Sequence, residues 1–197
     1  CMKELSFEKS LFLYFNGKHS PFFDWLMSLA SNQLISIPVY FIFIFILIRT
    51  LKYLNTSYIV TNAILVVSCI SMAVVVSCLV LPGIFGHIVS RLQPCYDSDV
   101  SALMHLVGDK SEHQYGFYAF RACTAFAIST FLIFIFDESF KWVKFLLLAW
   151  AFFVAYSRIY LGAHYPVDIL VSVLSGTLLG YLTYRIYFYI KESVLVI

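Results

Sequence analysis

The stretch Ser157-Arg158-Ile159-Tyr160-Leu161-Gly162-Ala163-His164-Tyr165-Pro166-Val167-Asp168 decides how this chain is to be read. It sets a serine, an arginine, a histidine and an aspartate at the spacing S-R-x5-H-x3-D, between two apolar segments. His164 and Asp168 are four residues apart, so on a helix they share one face. There a carboxylate can hold one ring nitrogen of the imidazole and leave the other free to attack. The guanidinium of Arg158 is a planar fork that suits phosphate. Charged groups at a membrane boundary are costly unless they have partners, which makes such a cluster functional by default. The plainer reading is an interfacial ion pair that closes a helix turn.

The rest of the chain says why a membrane boundary is the right setting. Hydrophobic residues make up 61% of the 197 residues and charged residues 12%, and the mean hydropathy is +0.87. Those values lie far from a soluble domain. The length suits one helical membrane domain, 1–197, with no room for a second. A net charge of +2 with no basic run argues against nucleic acid as a partner. The five cysteines, Cys1, Cys69, Cys78, Cys95 and Cys123, show neither metal-ligand spacing nor an evident disulfide pairing. No metal and no cofactor is expected. The N-terminus carries no cleavable signal pattern, and Cys1 ahead of Met2 is not expected to be a lipidation site.

Apolar stretches of roughly 20 residues, enough to cross about 30 Å of hydrocarbon, run over Leu34–Leu54, Tyr58–Leu81, Tyr115–Phe136, Trp142–Tyr160 and Val167–Ile190. The expected fold is therefore an all-α, polytopic membrane bundle with five clear spans. Before them, Asn16-Gly17-Lys18-His19-Ser20-Pro21 interrupts Phe7–Leu29. That segment is read as an interfacial helix leading into the first span, or as a sixth crossing. Arg49 and Lys52, Lys141 and Lys144, and Arg185 and Lys191 fall at the span ends of one side, which the positive-inside rule assigns to the cytoplasm. The Gly83–Gln114 loop and the Ser157–Asp168 turn then meet on the extracytoplasmic face of a bacterial inner membrane. In the last span, Ser172, Gly176 and Gly180 form a small-xxx-small stripe, expected to pack inside the bundle.

With its fillers, SRIYLGAHYPVD resembles the third motif of the type 2 phosphatidic acid phosphatase family, membrane lipid phosphatases related in fold to vanadium haloperoxidases. The resemblance runs from about Leu11 to Tyr184 and is closest to short bacterial members acting on lipid phosphates and pyrophosphates. It implies that His164 is the nucleophile, that Asp168 orients it, and that Arg158, with Ser157 beside it, binds phosphate.

The other two family motifs are altered. The first, K-x6-R-P, aligned on Pro94, puts Gln93 in place of the arginine and Gly86 in place of the lysine; Arg91 remains as a candidate phosphate-binding cation. The second, typically P-S-G-H, falls on Tyr118-Ala119-Phe120-Arg121, with Arg121 at the position of the proton-donating histidine. An arginine stays protonated and cannot shuttle a proton, but it can bind an anion. Lys110-Ser111-Glu112-His113 offers a shifted version in which His113 is a substitute acid. General acid help is worth about 10²–10⁴ in rate.

Three function classes stand side by side. The first is a degenerate member that binds a lipid phosphate or pyrophosphate, or a partner protein, with little or no hydrolysis. The second is a working, divergent lipid phosphatase or pyrophosphatase acting through a phosphohistidine on the extracytoplasmic face. The third, a transporter or assembly subunit, lacks sequence support.

Overall fold

In a computed structural model, residues 6–50, 56–108 and 114–195 are described. Two short helices open the chain. In α1 (Phe7–Asn16) the Ser6 hydroxyl accepts from the Lys9 N–H, and in α2 (Pro21–Ser31) Ser20 caps and Pro21 takes the first helical position. That is the usual reading of a serine followed by proline at a helix start. The interruption at 16–21 thus separates two helices.

The helix α3 (Gln33–Thr50) follows α2 across a 64° bend at Asn32. Next come α4 (Thr56–Val75) and α5 (Leu81–Ile88), joined without a break by a π-helical turn at Val76–Val80. The wide turn falls just ahead of Pro82, whose ring would otherwise strike the carbonyl four residues back. After a long loop come α6 (Phe120–Ile135), α7 (Lys141–Tyr160) and α8 (Pro166–Leu195).

The chain is an all-α membrane bundle, as expected, but its spans differ in detail from the five marked in the sequence. Thr56–Ile88, Glu138–Tyr160 and Pro166–Ser193 are long and apolar enough to cross, and α2 with α3 makes a fourth if the bent pair counts as one. The expected third span begins at Phe120 instead of Tyr115. Residues 114–116 are held extended by a β-bridge between Leu92 and Tyr115. The resulting 16-residue helix reaches only about 24 Å at 1.5 Å per residue. It is hydrophobic all round because it is the buried centre of the bundle, with Ala122, Cys123, Phe126, Phe131 and Leu132 inside. Residues 51–54, the end of the first expected span, lie outside the described residues.

The contact between α6 and α8 fixes the bundle's geometry. A Cβ on Gly176 would sit 2.4 Å from the Cys123 carbonyl oxygen, and one on Gly180 would sit 2.4 Å from that of Ala127. Ser172, the third member of the stripe, accepts the Ala119 N–H at 2.9 Å. Ser172, Gly176 and Gly180 therefore meet Ala119, Cys123 and Ala127, two four-residue repeats face to face, inside the bundle as the sequence suggested. Near the turn after α7, the buried Asn16 ties three segments. Its amide donates to the His105 and Tyr160 carbonyls, both at 2.8 Å, and its oxygen accepts the His105 N–H at 2.6 Å.

Because backbone stands opposite each glycine, no side-chain rotation can make room. Gly176→Val is expected to destabilise the protein by about 1–3 kcal/mol, the usual cost of overpacking, read as a lower thermal midpoint in detergent. Val171→Ile on the same helix serves as the control for added bulk.

Candidate active site

The turn that carries the motif is built by its backbone. After α7, the Ser157 carbonyl accepts from Leu161, and the Arg158 carbonyl accepts from Ala163 at 3.0 Å and from His164 at 3.3 Å. Gly162 adopts φ +80°, a left-handed conformation that favours glycine, and a Cβ there would also meet Met104 at 2.3 Å. Pro166 then opens α8, and Asp168, three residues after Tyr165, accepts the Tyr165 N–H at 3.0 Å. This is the return half of a capping box, so Asp168 has a structural task as well as a chemical one.

A cavity of about 480 Å³ lies against this turn, lined among others by Arg121, Arg158, His164, Gln93, Gly86 and Gly116. Gly86 and Gln93, where the resemblance expects cations, are thus both at the cavity. The strand-like pairing of 91–93 with 114–116 brings Gln93 there: the Gly116 N–H donates to the Arg91 carbonyl and the Gln93 N–H to the Gln114 carbonyl, each at 3.0 Å. The Gln93 side chain packs over Gly116, where a Cβ would fall 2.4 Å from its amide nitrogen and would have to displace it.

Two guanidiniums meet in the cavity wall. Arg121, in the first turn of α6, donates to the Ser31 carbonyl at 2.5 Å and to its hydroxyl at 3.2 Å. Arg158 donates to the same hydroxyl. Among the described residues neither has a carboxylate partner, and the Nε of each is buried without a hydrogen bond. Like charges so placed repel, the more strongly for being out of water. An anion bridging them would remove the repulsion and occupy the free N–H groups. The N-terminus of α6 adds its own preference for negative charge.

His164 lines the same cavity and is 7% exposed. Burial pushes its pKa down to about 3; the Arg158 charge adds to this, the Gly116 backbone opposes it by hydrogen-bonding the ring, and Arg121 contributes further. The ring is therefore neutral at physiological pH, as a nucleophile must be. Its Nδ1 lies 3.9 Å from Asp168 Oδ2 and makes no hydrogen bond.

Other placements depart from the sequence reading. Ser157 does not face the cavity: it is fully buried and its hydroxyl donates to the Val154 carbonyl at 2.7 Å, back-bonding within α7. Arg91 lies beside Asp168, donating to it at 3.1 Å, but its other amino group is paired with Glu8 at 2.6 Å and the residue does not line the cavity. It braces the site and is not free to hold phosphate there. His113 lies outside the described residues. Ser31 and Glu8 carried no sequence signal, because a serine at a helix end and a glutamate beside a lysine have many ordinary uses.

This is a helical membrane bundle with a cationic, histidine-bearing cavity, the architecture of a phosphate-handling membrane protein. The sequence matches the PAP2 superfamily over residues 65–192, and the chain belongs to that superfamily. It is similar to a lipid A 4'-phosphatase of Bacteroides thetaiotaomicron, 29% identical over 180 residues, which are 91% of this chain and 76% of that protein. A second lipid A 4'-phosphatase, from Porphyromonas gingivalis, is 25% identical over 189 residues, 95% of this chain and 76% of that protein. The fold matches the crystal structure of Aquifex aeolicus LpxE with a TM-score of 0.59 and 21% identity, over 93% of this chain and 98% of that one.

The electrostatics yield a prediction. Ring nitrogen NMR should find His164 neutral from pH 5 to 8, and Arg158→Gln should move its titration upward, because removing a nearby positive charge makes protonation easier. A wild-type midpoint near the ordinary value of about 6.5 would contradict this.

Proposed function

We propose that this protein is a divergent lipid phosphatase that removes phosphate from a phosphorylated glycolipid of the lipid A kind, at the extracytoplasmic face of a bacterial inner membrane. The observation that carries the reading is the pair of carboxylate-free guanidiniums, Arg121 and Arg158, beside a neutral His164 in one cavity. The two curated relatives, both lipid A 4'-phosphatases matched over more than nine-tenths of this chain, support hydrolysis over binding alone. They give no support to the sequence expectation of little or no hydrolysis.

In this reading the two arginines clamp the phosphate oxygens, and Arg121 supplies charge that Gly86 and Gln93 lack. With the ring proton on Nδ1, toward Asp168, Nε2 is released from its hydrogen bond to the Gly116 backbone and attacks phosphorus. The phosphorus–oxygen bond to the lipid breaks, and the departing alkoxide takes its proton from water, since the cavity lining holds no carboxylate and no second histidine among the described residues. Water then attacks the phosphohistidine, releasing inorganic phosphate and restoring the ring. A phosphate ester with a poor leaving group is slow without an acid, by about 10²–10⁴ on the usual scale, so turnover is modest. A pyrophosphate group leaves more readily and suffers less.

A second reading has one observation in its favour: Arg121, which cannot donate a proton, stands at the position where the resemblance expects the acid. In that reading the cavity binds the lipid phosphate, for its own sake or to present it to a partner protein, and does not hydrolyse it.

Phosphate release from a panel of lipid phosphates, including lipid A phosphorylated at the 4' position, separates the two. The proposal expects slow release by purified wild type that His164→Ala abolishes. Release at the His164→Ala background, with lipid binding intact, establishes the second reading. If release is present, a further loss in His113→Ala identifies that residue as the proton donor. A single Arg121→His change is expected to lower release by about 10²–10³, because it removes one arm of the phosphate clamp.

A further inference from the structure

We infer that Glu8, on the N-terminal helix α1, is a positioning residue for the Asp168–His164 pair, acting through Arg91. The inference rests on the reading of His164 as the nucleophile. Three contacts link four side chains. Glu8 Oε2 meets Arg91 Nη2 at 2.6 Å, Arg91 Nη1 meets Asp168 Oδ1 at 3.1 Å, and Asp168 Oδ2 faces His164 Nδ1 at 3.9 Å. The Arg91 guanidinium is stacked 4.2 Å over the Tyr165 ring, so it is held from the side as well as from both ends. Neither Glu8 nor Arg91 lines the cavity, which separates their task from substrate binding.

Charge bookkeeping gives Glu8 its role. Arg91 alone would neutralise Asp168 and cancel the negative potential that the imidazole needs. With all three groups ionised, adding Glu8 returns the trio to a formal net charge of −1. Phosphorylation at Nε2 places positive charge on the ring, and a net negative group behind Nδ1 stabilises that charge as it develops. Glu8 also draws one edge of the guanidinium away, leaving a single N–H on Asp168 Oδ1 and Oδ2 turned toward the ring. The second oxygen of Glu8 is buried and unpartnered, a cost that simple surface docking of α1 would not require.

Docking of α1 has its own contact. Lys9, the next residue, bonds Asp97 and Asp99, each at 2.8 Å, and Asp97 in turn accepts the Tyr165 hydroxyl at 2.8 Å. Removing Lys9 therefore loosens α1 without touching the charge on Arg91, and the two effects can be told apart.

The test uses the full chain in detergent with nitrogen-labelled histidine, the His164 ring signals being assigned by their loss in His164→Ala. Glu8→Gln is expected to shift the His164 Nδ1 resonance, and Lys9→Gln to leave it in place. In turnover, Glu8→Gln should lower kcat about tenfold with KM within about twofold, the signature of an interaction felt in the transition state. The double variant Glu8→Gln/Arg91→Gln, which keeps the net charge at −1, should recover most of that loss. An unmoved His164 resonance in Glu8→Gln, or an equal shift in Lys9→Gln, would overturn the inference. If the wild type shows no turnover, hydrolysis fails as the function while the NMR comparison still decides the role of Glu8.

Discussion

Two positive charges held together out of water, with no carboxylate between them among the described residues, set the terms for this protein. Arg121 and Arg158 both reach the hydroxyl of Ser31, and each keeps a buried Nε with nothing to bond. In isolation such a pair opposes folding, since burial and mutual repulsion act in the same direction. A chain keeps that arrangement only where something of opposite charge completes it. The cavity beside the pair, the neutral histidine in its wall and the helix N-terminus aimed into it all fit a phosphate group. The lipid environment fits a phosphate carried on a lipid.

Holding the pair takes three separate parts of the fold. Arg158 is delivered by the end of α7, and the Gly162 turn then brings His164 back beside it. Arg121 is delivered by α6, whose position is set by the glycine stripe of α8 to within backbone contact. The end of α2 supplies Ser31 as a neutral bridge between them. On the far side of His164, Asp168 is shared between the helix cap at Tyr165 and the Arg91–Glu8 pair. A small change in any of these supports would move a charge and not merely a side chain, so the packing and the chemistry are one problem here.

Much of this was legible in the sequence, for physical reasons that differ from residue to residue. The S-R-x5-H-x3-D run is local, and its Arg158 and His164 share one cavity. But His164 lies in the turn before α8 and not on a helix face with Asp168, so the expected bond from the carboxylate to the ring is not made. The four-residue repeat of Ser172, Gly176 and Gly180 reported a close helix contact, because only small residues permit one. Arg121, found by aligning the second motif, lines the cavity. The misreadings involve contacts distant in sequence. Arg91 looked like a phosphate ligand until Glu8, 83 residues away, was seen to hold it. Ser157, expected to bind phosphate beside Arg158, is turned inward by helical rotation. The third span began late because the Leu92–Tyr115 bridge keeps its first residues extended, and hydropathy alone cannot register such a pairing.

Anion binding to the arginine pair tests this account most directly, and it does so whether or not the protein turns over a lipid. The measurement is the thermal midpoint of the purified protein in detergent, titrated with orthovanadate as a phosphate analogue. A ligand that binds only the folded state raises stability by RT ln(1 + [L]/Kd), about 2.7 kcal/mol at a hundredfold excess over Kd. The account predicts a saturable rise in the wild type that is lost when Arg121→Gln leaves Arg158 without its companion. No rise in the wild type, or an equal rise in the variant, would contradict it.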